Sequence, residues 1–368
     1  MDMFDEFGPE KILEVYHPKS GMRGFVCIDN TSLGPGKGGI RMTPTVTKEE
    51  VFRLARTMTW KCSLAGLPFG GAKSGIIADP RKFDSKKKKE IVEAFADALK
   101  AVSPSLYVAA PDINMAEQDM EWYYKKNGSK QSVTGKPKKD GGLPHELGST
   151  GFGVYHSLLV AAKFAKLDVK NSTVAIEGFG NVGWFVAKYL SEYGGKIVAV
   201  SDSKGVIYNK HGLDFKKLAE VKKKEGSVIA YKPGDILPAE DILEVNADIL
   251  VTAAVPDLIK ERDVNLLKFK MIVEGSNIAM TPVVEAMVEE KGILVVPDFV
   301  ANAGGVISSY VEYIGGNEKK MFEMVEKKIT ENTNKVLTLA RDRKISPRDA
   351  AMEIAVARVK KHCKICRD

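Results

Sequence analysis

Apolar and polar positions follow two textures along the chain. Over residues 48–66 apolar side chains recur at helical spacing, at Val51, Leu54, Met58 and Ala65, which predicts an amphipathic helix. Thr47 with Glu50 spells a capping box at its start. Lys61 falls on the same stripe, three after Met58. A lysine on a buried helix face costs several kcal/mol unless it is paired or snorkels to the edge. Ile76-Ile77-Ala78 and Leu106 to Ala110 read as short buried strands. Residues 128–144, rich in Gly, Lys and Pro, read as an exposed loop.

From residue 149 the texture becomes regular. A helix, Tyr155 to Ala165, precedes Val/Ile/Ala runs at Thr173–Glu177, Ile197–Ser201, Ile249–Ala253, Met271–Val273 and Ile293–Val296. Such runs between helices predict a parallel sheet covered on both faces. Helices near 318–342 and 347–362 close the chain. The pattern predicts an α/β protein of two domains: residues 1–148, with 325–368 packing back on them, and residues 149–324.

The 368 residues are enough for two cores. No apolar run is long enough to span a membrane. Met1-Asp2-Met3-Phe4-Asp5 lacks the basic and apolar regions of a signal peptide. Four cysteines make no disulfide framework, so the cytoplasm is the expected compartment. The net charge of +7 gathers at Lys86 to Lys89 and Lys222 to Lys224. Neither run interleaves arginines and aromatics, so both read as solvated helix faces and no nucleic-acid partner is expected. Cys363-Lys364-Ile365-Cys366, beside His362, resembles half a zinc site. No second Cys-x-x-Cys pair exists to complete it, so no metal is expected and the terminus reads as frayed.

The chemistry concentrates in a few motifs. Pro68-Phe69-Gly70-Gly71-Ala72-Lys73 puts a lysine where the backbone can crowd against a ligand. Burial there lowers an ammonium pKa toward neutrality and makes Lys73 a candidate general base. Lys37 and Lys61 precede it, and three converging lysines would call for a multiply anionic substrate. Asp112, just past a strand end, lies where sites form in α/β proteins.

Gly178-Phe179-Gly180-Asn181-Val182-Gly183 matches G-x-G-x-x-G between a strand and an apolar helix, the context that makes it a dinucleotide fingerprint. The first Gly makes the turn, the second lets the backbone reach the pyrophosphate, and the third lets helix and strand pack closely. Asp202, about 24 residues past Gly178 and followed by Ser203, is spaced to bind the adenosine ribose, which favours NAD. Lys204 leaves NADP open. Ala253, Ala254, Asn277 and Asn302 lie at other strand ends, where a cofactor collects.

These motifs, with Gly34-Pro35-Gly36-Lys37-Gly38-Gly39-Ile40-Arg41, Thr59-Trp60-Lys61, Ala110-Pro111-Asp112, Ser149-Thr150-Gly151-Phe152-Gly153 and Asn302-Ala303-Gly304-Gly305, resemble the glutamate/leucine/phenylalanine/valine dehydrogenases over nearly the whole chain. The resemblance implies a substrate-binding and oligomerisation domain and a Rossmann-type dinucleotide-binding domain, with a cleft between them. It implies NAD(P)-dependent oxidative deamination of an L-amino acid, reversible with ammonium and a 2-oxo acid. Carried over by position, Lys73 is the catalytic lysine, Asp112 the proton-transfer carboxylate and Lys61 the ligand of the α-carboxylate. Lys37 and Ser309 would bind a side-chain carboxylate, with Val306 and Thr150 finishing the pocket.

The implied substrate is therefore L-glutamate, with 2-oxoglutarate and ammonium as products. A branched-chain or aromatic amino acid dehydrogenase, or a non-catalytic NAD-binding protein on the same fold, are the alternatives. The segment before Gly34 is shorter than in typical hexameric glutamate dehydrogenases. The expected homo-oligomer is thus a hexamer, or an octamer or dimer as in shorter family members.

Overall fold

A computed structural model describes residues 4–364 and residue 366. Met1-Asp2-Met3 and Ile365, on which the leader and zinc readings partly rest, lie outside the described residues, as do Arg367 and Asp368. The chain divides into two compact units. The first comprises Met1–Leu147, Val306–Met321 and Met352–Asp368; the second comprises Gly148–Gly305 and Phe322–Ala351.

The first unit is built on a mixed five-stranded sheet of β1 (Lys11–His17), β2 (Met22–Asn30), β3 (Gly36–Thr43), β4 (Gly70–Ile77) and β5 (Tyr107–Pro111), in the order β1-β2-β4-β3-β5. Strand pairing is antiparallel for β1–β2 and β2–β4, and parallel for β3–β4 and β3–β5. Helix α1 (Lys48–Leu64) follows β3, and α2 (Ser85–Ala98) and α3 (Glu117–Asn127) flank β5 in sequence. Side chains alternate between the two faces of β2. Phe25 and Cys27 pack with Val51 and Ala55 of α1. Val26 and Ile28 join Phe95 of α2 and Met120 of α3 in the larger core.

The glycine-rich segments around Lys37 and Lys73, for which the sequence pattern gave no element, are strands. Glycine carries no side chain to show a period of two and weakens a strand, so β3 and most of β4 leave no pattern. In α1 the buried stripe is Val51, Ala55, Thr59 and Cys62, with Lys61 half-buried beside it. Thr47 does cap the helix, but Glu50 turns to Arg41 (2.5 Å) instead of closing a capping box.

The second unit opens with α4 (Ser149–Phe164) and continues through β6 (Thr173–Glu177), α5 (Asn181–Tyr193), β7 (Lys196–Asp202), β8 (Gly205–Tyr208), α6 (Phe215–Glu225), β9 (Asp235–Leu237), β10 (Ile249–Thr252), β11 (Met271–Glu274), α7 (Pro282–Glu290), β12 (Leu294–Val296) and α8 (Asp298–Ala301). The sheet order is β12-β11-β10-β6-β7-β8-β9. The first five of these strands are parallel, as expected, but β8 and β9 add an antiparallel edge that the sequence pattern does not announce. The order reverses at β6, where the chain crosses from one half of the sheet to the other.

The last helices, α9 (Gly304–Tyr313), α10 (Glu318–Arg343) and α11 (Pro347–His362), are shared out between the units. Expected boundaries of 1–148 with 325–368, and 149–324, therefore differ from this contact division in the C-terminal third. On α9, Tyr310 and Tyr313 sit edge-on to Phe69 of the first unit (5.8 and 5.1 Å). In the second unit, Thr333 of α10 bonds Ser157 of α4 (3.0 Å) and Phe322 meets Phe152 (5.0 Å). At the far end of α11, Ser63 donates to the Ala355 carbonyl (2.7 Å) within the first unit. The terminus is not frayed: α11 runs to His362, and Cys363 and Cys366 are joined as a disulfide.

Residues 128–144 are also not simply exposed. Ser132, Val133, Thr134 and Lys136 are buried. Glu312 of α9 is inserted into this segment, accepting from Gly135 N (3.1 Å), Lys136 N (3.2 Å), Leu143 N (3.0 Å) and Lys136 Nζ (2.6 Å).

Candidate active site

Lys73 stands on β4 because of what lies beside it. The β3–β4 register runs Lys37↔Gly71 and Ile40↔Ser74, which puts Gly39 next to Lys73. A Cβ at residue 39 would lie 2.8 Å from Asp112 Cβ and 3.4 Å from Lys73 Nζ. The missing side chain is thus the space in which Lys73 meets Asp112, 2.8 Å from Nζ to Oδ2. On the helix side, a Cβ at Gly71 would strike Thr59 Oγ1 of α1 at 2.0 Å. Glycines here let a helix and two neighbouring strands close on a buried lysine.

Asp112 does not cap α3, which starts after Ala116 with Asp119 accepting from its N–H. Its Oδ2 also accepts from Arg41 Nε (3.0 Å). Arg41, given no role by sequence reasoning, aims this carboxylate from the same strand as Lys37. Burial pulls the Lys73 ammonium below its ordinary value, and Asp112 opposes that pull. The leading cause is burial, the one the motif suggested; Arg41 adds a smaller lowering. Burial raises Asp112, but Lys73 and Arg41 outweigh it and hold the carboxyl low.

Lys37 is 1% exposed, and its Nζ donates to the Ala109 carbonyl (2.9 Å). Burial brings its pKa down to about 7, opposed by Cys62 and Glu312 and assisted by Lys136 and Lys73. Cys62 feels both Lys37 and Lys61, and burial pushes its thiol up to about 12. Val306, Ser309 and Glu312 fall at three-residue spacing on one face of α9. Glu312 is within electrostatic reach of Lys37, so that face belongs to the lysine's surroundings. Thr150 belongs instead to the second unit, with its Oγ1 3.0 Å from where a Cβ on Gly305 would lie.

In the second unit the fingerprint forms the turn between β6 and α5. Gly178 has φ +88°, where a side chain would be strained. A Cβ at Gly183 would lie 1.9 Å from the Gly178 carbonyl oxygen, whereas nothing lies within 4 Å of one at Gly180. The start of α5 carries no side-chain cap, and the space at Gly180 leaves room in front of it. That arrangement fits a pyrophosphate at a helix N-terminus. Phe179 is buried, and Asn181 and Val182 open α5.

A cavity of about 480 Å³ runs from Gly178 and Gly180 past Asp202, Ser203 and Lys222 to Ala254. Asp202 there is already engaged. It accepts from Lys204 N (2.9 Å), Ser227 Oγ (3.0 Å), Val228 N (2.8 Å) and Lys222 Nζ (2.7 Å). Burial raises this carboxyl, but these donors outweigh it and hold it low. Lys222 is therefore not part of a plain solvated face, and sequence reasoning passed over it because it sits in a lysine run.

Glu177 was also passed over. This buried carboxylate at the end of β6 accepts from Ala253 N (2.9 Å) and Ala254 N (3.0 Å) and so fixes the end of β10. The signal was an acidic residue directly before the fingerprint. Asn302 donates to Asn277 Oδ1 (2.9 Å), which brings these two predicted residues together. Among the described residues no cluster of three or more His, Cys, Asp or Glu side chains is arranged for a metal, and no helix is long and apolar enough to cross a membrane.

Comparison with known proteins matches two family models to successive parts of the chain. Residues 141–365 match the family model described as Glutamate/Leucine/Phenylalanine/Valine dehydrogenase, and residues 9–128 match that of the Glu/Leu/Phe/Val dehydrogenase, dimerisation domain. The chain is 40% identical over 347 residues to the glutamate dehydrogenase of Aeropyrum pernix, spanning 90% of this chain and 83% of that protein. It is 37% identical over 374 residues to the NADP-specific glutamate dehydrogenase of Saccharolobus shibatae, spanning 95% and 88%. Its fold is similar to that of the hetero-hexameric glutamate dehydrogenase from Thermus thermophilus in a Leu-bound form, with a TM-score of 0.85 and 27% identity over 98% of this chain and 90% of that one.

Proposed function

Because the chain belongs to the Glutamate/Leucine/Phenylalanine/Valine dehydrogenase family, we propose that it catalyses the NAD(P)-dependent, reversible oxidative deamination of L-glutamate to 2-oxoglutarate and ammonium. The observation that carries the choice of substrate is Lys37, a buried amine within electrostatic reach of Lys73 and of Glu312 on α9. A carboxylate supplied by the substrate side chain compensates its charge. An isobutyl group would leave it uncompensated, at a cost of several kcal/mol. The names of the relatives agree with this choice.

The nicotinamide dinucleotide, when bound, supplies a hydride acceptor for the substrate Cα. Lys61 binds the α-carboxylate, and Lys37 with Ser309 binds the distal one, with Thr150 and Val306 contributing to the pocket. Lys73, its ammonium weakened by burial, takes a proton from the water that adds to the imine carbon. Asp112, held by Lys73 and Arg41, carries the proton that the amine needs to leave as ammonia. Gly178 to Gly183 hold the pyrophosphate, Asp202 and Ser203 the adenosine ribose, and Ala253, Ala254, Asn277 and Asn302 the nicotinamide half. Because Lys222 is paired with Asp202, the ribose end serves NAD through the carboxylate and NADP through the lysine, with NAD favoured. Assembly is as a homo-oligomer of at least two chains, in keeping with the dimerisation-domain match.

An amino-acid panel with NAD and NADP, followed by absorbance of the reduced cofactor, tests this reading. Glutamate should be turned over, and leucine, valine and phenylalanine should not. Lys37→Leu should reverse that order. A wild-type preference for an apolar amino acid, or an unchanged order in the variant, would overturn it.

A further inference from the structure

One guanidinium in the second unit gathers three buried carboxylates. Arg348 of α11 reaches Glu274 at the end of β11 (3.1 Å), Asp298 at the start of α8 (3.5 Å) and Glu285 of α7. Its guanidinium also lies over the Phe299 ring, 5.6 Å from the centroid. Glu289 of α7 and Asp349 of α11 add further acidic groups within electrostatic reach of this cluster. Carboxyls thus outnumber the Arg348 guanidinium that they share. Oε1 of Glu274, Glu285 and Glu289 are all buried without a hydrogen-bond partner.

What these carboxylates hold is specific. Glu274 Oε2 accepts from Asp298 N (2.9 Å), and Asp298 Oδ2 accepts from Ile278 N (3.0 Å). Ile278 has φ +52°, a conformation that a β-branched residue adopts only when its surroundings impose it. The residue before it is Asn277, and Asn302 follows α8 directly. We propose that Arg348 is a positioning residue for the nicotinamide end of the dinucleotide site, setting the turn that carries Asn277 and the helix end that carries Asn302. This rests on the reading above that those two asparagines face the nicotinamide.

The reasoning is electrostatic. Without the guanidinium, Glu274 and Asp298 would both be buried next to Glu285 with no cation, and their repulsion would drive β11 and α8 apart. Burial already pushes Glu274 well above the ordinary carboxyl range and Glu289 to about 7. Glu289 therefore titrates near neutrality. A lysine in place of Arg348 keeps the charge but lacks the planar fork that serves several carboxylates at once.

The test compares Arg348→Met and Arg348→Lys with Asn277→Ala in the full-length enzyme. Readouts are kcat, KM for glutamate, NADH affinity by fluorescence, and the pH dependence of kcat. For Arg348→Met the expected result is a fall in kcat of about tenfold or more with NADH affinity changed less than about threefold, and a kcat profile shifted between pH 6 and 8. Arg348→Lys should recover part of kcat; it also keeps the test open should the methionine variant not fold. Retention of kcat and its profile by both variants, or a parallel loss of kcat and NADH affinity tracking thermal stability, would overturn the proposal. If Asn277→Ala also keeps its kcat, the reading of the nicotinamide end has failed; if Asn277→Ala alone loses kcat, only the role of Arg348 has failed.

Discussion

At the scale of single residues, the chemistry depends on two buried lysines in different company. Lys73 has a carboxylate at 2.8 Å. Lys73→Ala is expected to lower kcat by about 10²–10⁴-fold while NADH still binds, because the dinucleotide residues belong to the other unit. Single-turnover measurements with NADH titration check this, and substantial residual turnover would remove Lys73 from its role. Lys37 has a carbonyl and a nearby acid but no carboxylate in contact, and it titrates at about 7 against an ordinary 10.5. Between those values the unfolded chain holds a proton that the folded one lacks. Stability contributed by this group therefore rises with pH across the window, and its cost is complete below about pH 7. A bound dicarboxylate would recharge the lysine. Calorimetry of 2-oxoglutarate binding in buffers of different ionisation enthalpy should find uptake of close to one proton near pH 8 and little near pH 6. Uptake independent of pH would show that Lys37 is not the ligand. Both lysines were legible in the sequence because each follows or precedes glycines in a quotable motif. Arg41, Glu177 and Lys222 were not, since their roles depend on register and on chain reversals that no local pattern records.

At the scale of elements, legibility followed side-chain content. Strand β6 was read to the residue, because a Val/Ala/Ile run between two helices leaves few alternatives. Strand β3 and all but the end of β4, which carry the lysines, were missed because glycine blanks their alternation. That emptiness is functional and can be tested. Gly39→Ala places a methyl 2.8 Å from Asp112 Cβ, so Asp112 or β5 must shift. The expected cost is about 1–3 kcal/mol of stability and up to about a hundredfold in kcat, with NADH affinity unchanged. Urea unfolding together with steady-state kinetics measures both, and an alanine variant with wild-type kcat would mean that the lysine–aspartate contact tolerates displacement. The segment 128–144 was misjudged for the opposite reason. Its composition is that of a loop, but a glutamate some 170 residues away satisfies its amides, and no window of sequence contains both partners.

At the scale of the molecule, each unit has its own hydrophobic core, one around Ile28, Met42 and Phe95 and the other around Val198, Leu250 and Ile272. Dinucleotide binding should therefore stabilise one unit directly. At about a hundred times its Kd, NADH is expected to add about 2.7 kcal/mol. Amide exchange should slow over the turn from β6 into α5 and the end of β10 before it changes in β3 and β4. Uniform protection of both sheets by NADH alone would contradict that assignment.

The carboxylate of Glu312 has one more implication, which concerns the order in which the polypeptide emerges during translation. The first 147 residues leave the ribosome with Gly135, Lys136 and Leu143 still lacking the acceptor that later joins them, and the ammonium of Lys136 without its counter-ion. Residues 148–305 of the second unit must be synthesised before Glu312 on α9 arrives to complete the first. An isolated amino-terminal fragment would therefore be an incomplete folding unit, lacking the acceptor that α9 supplies.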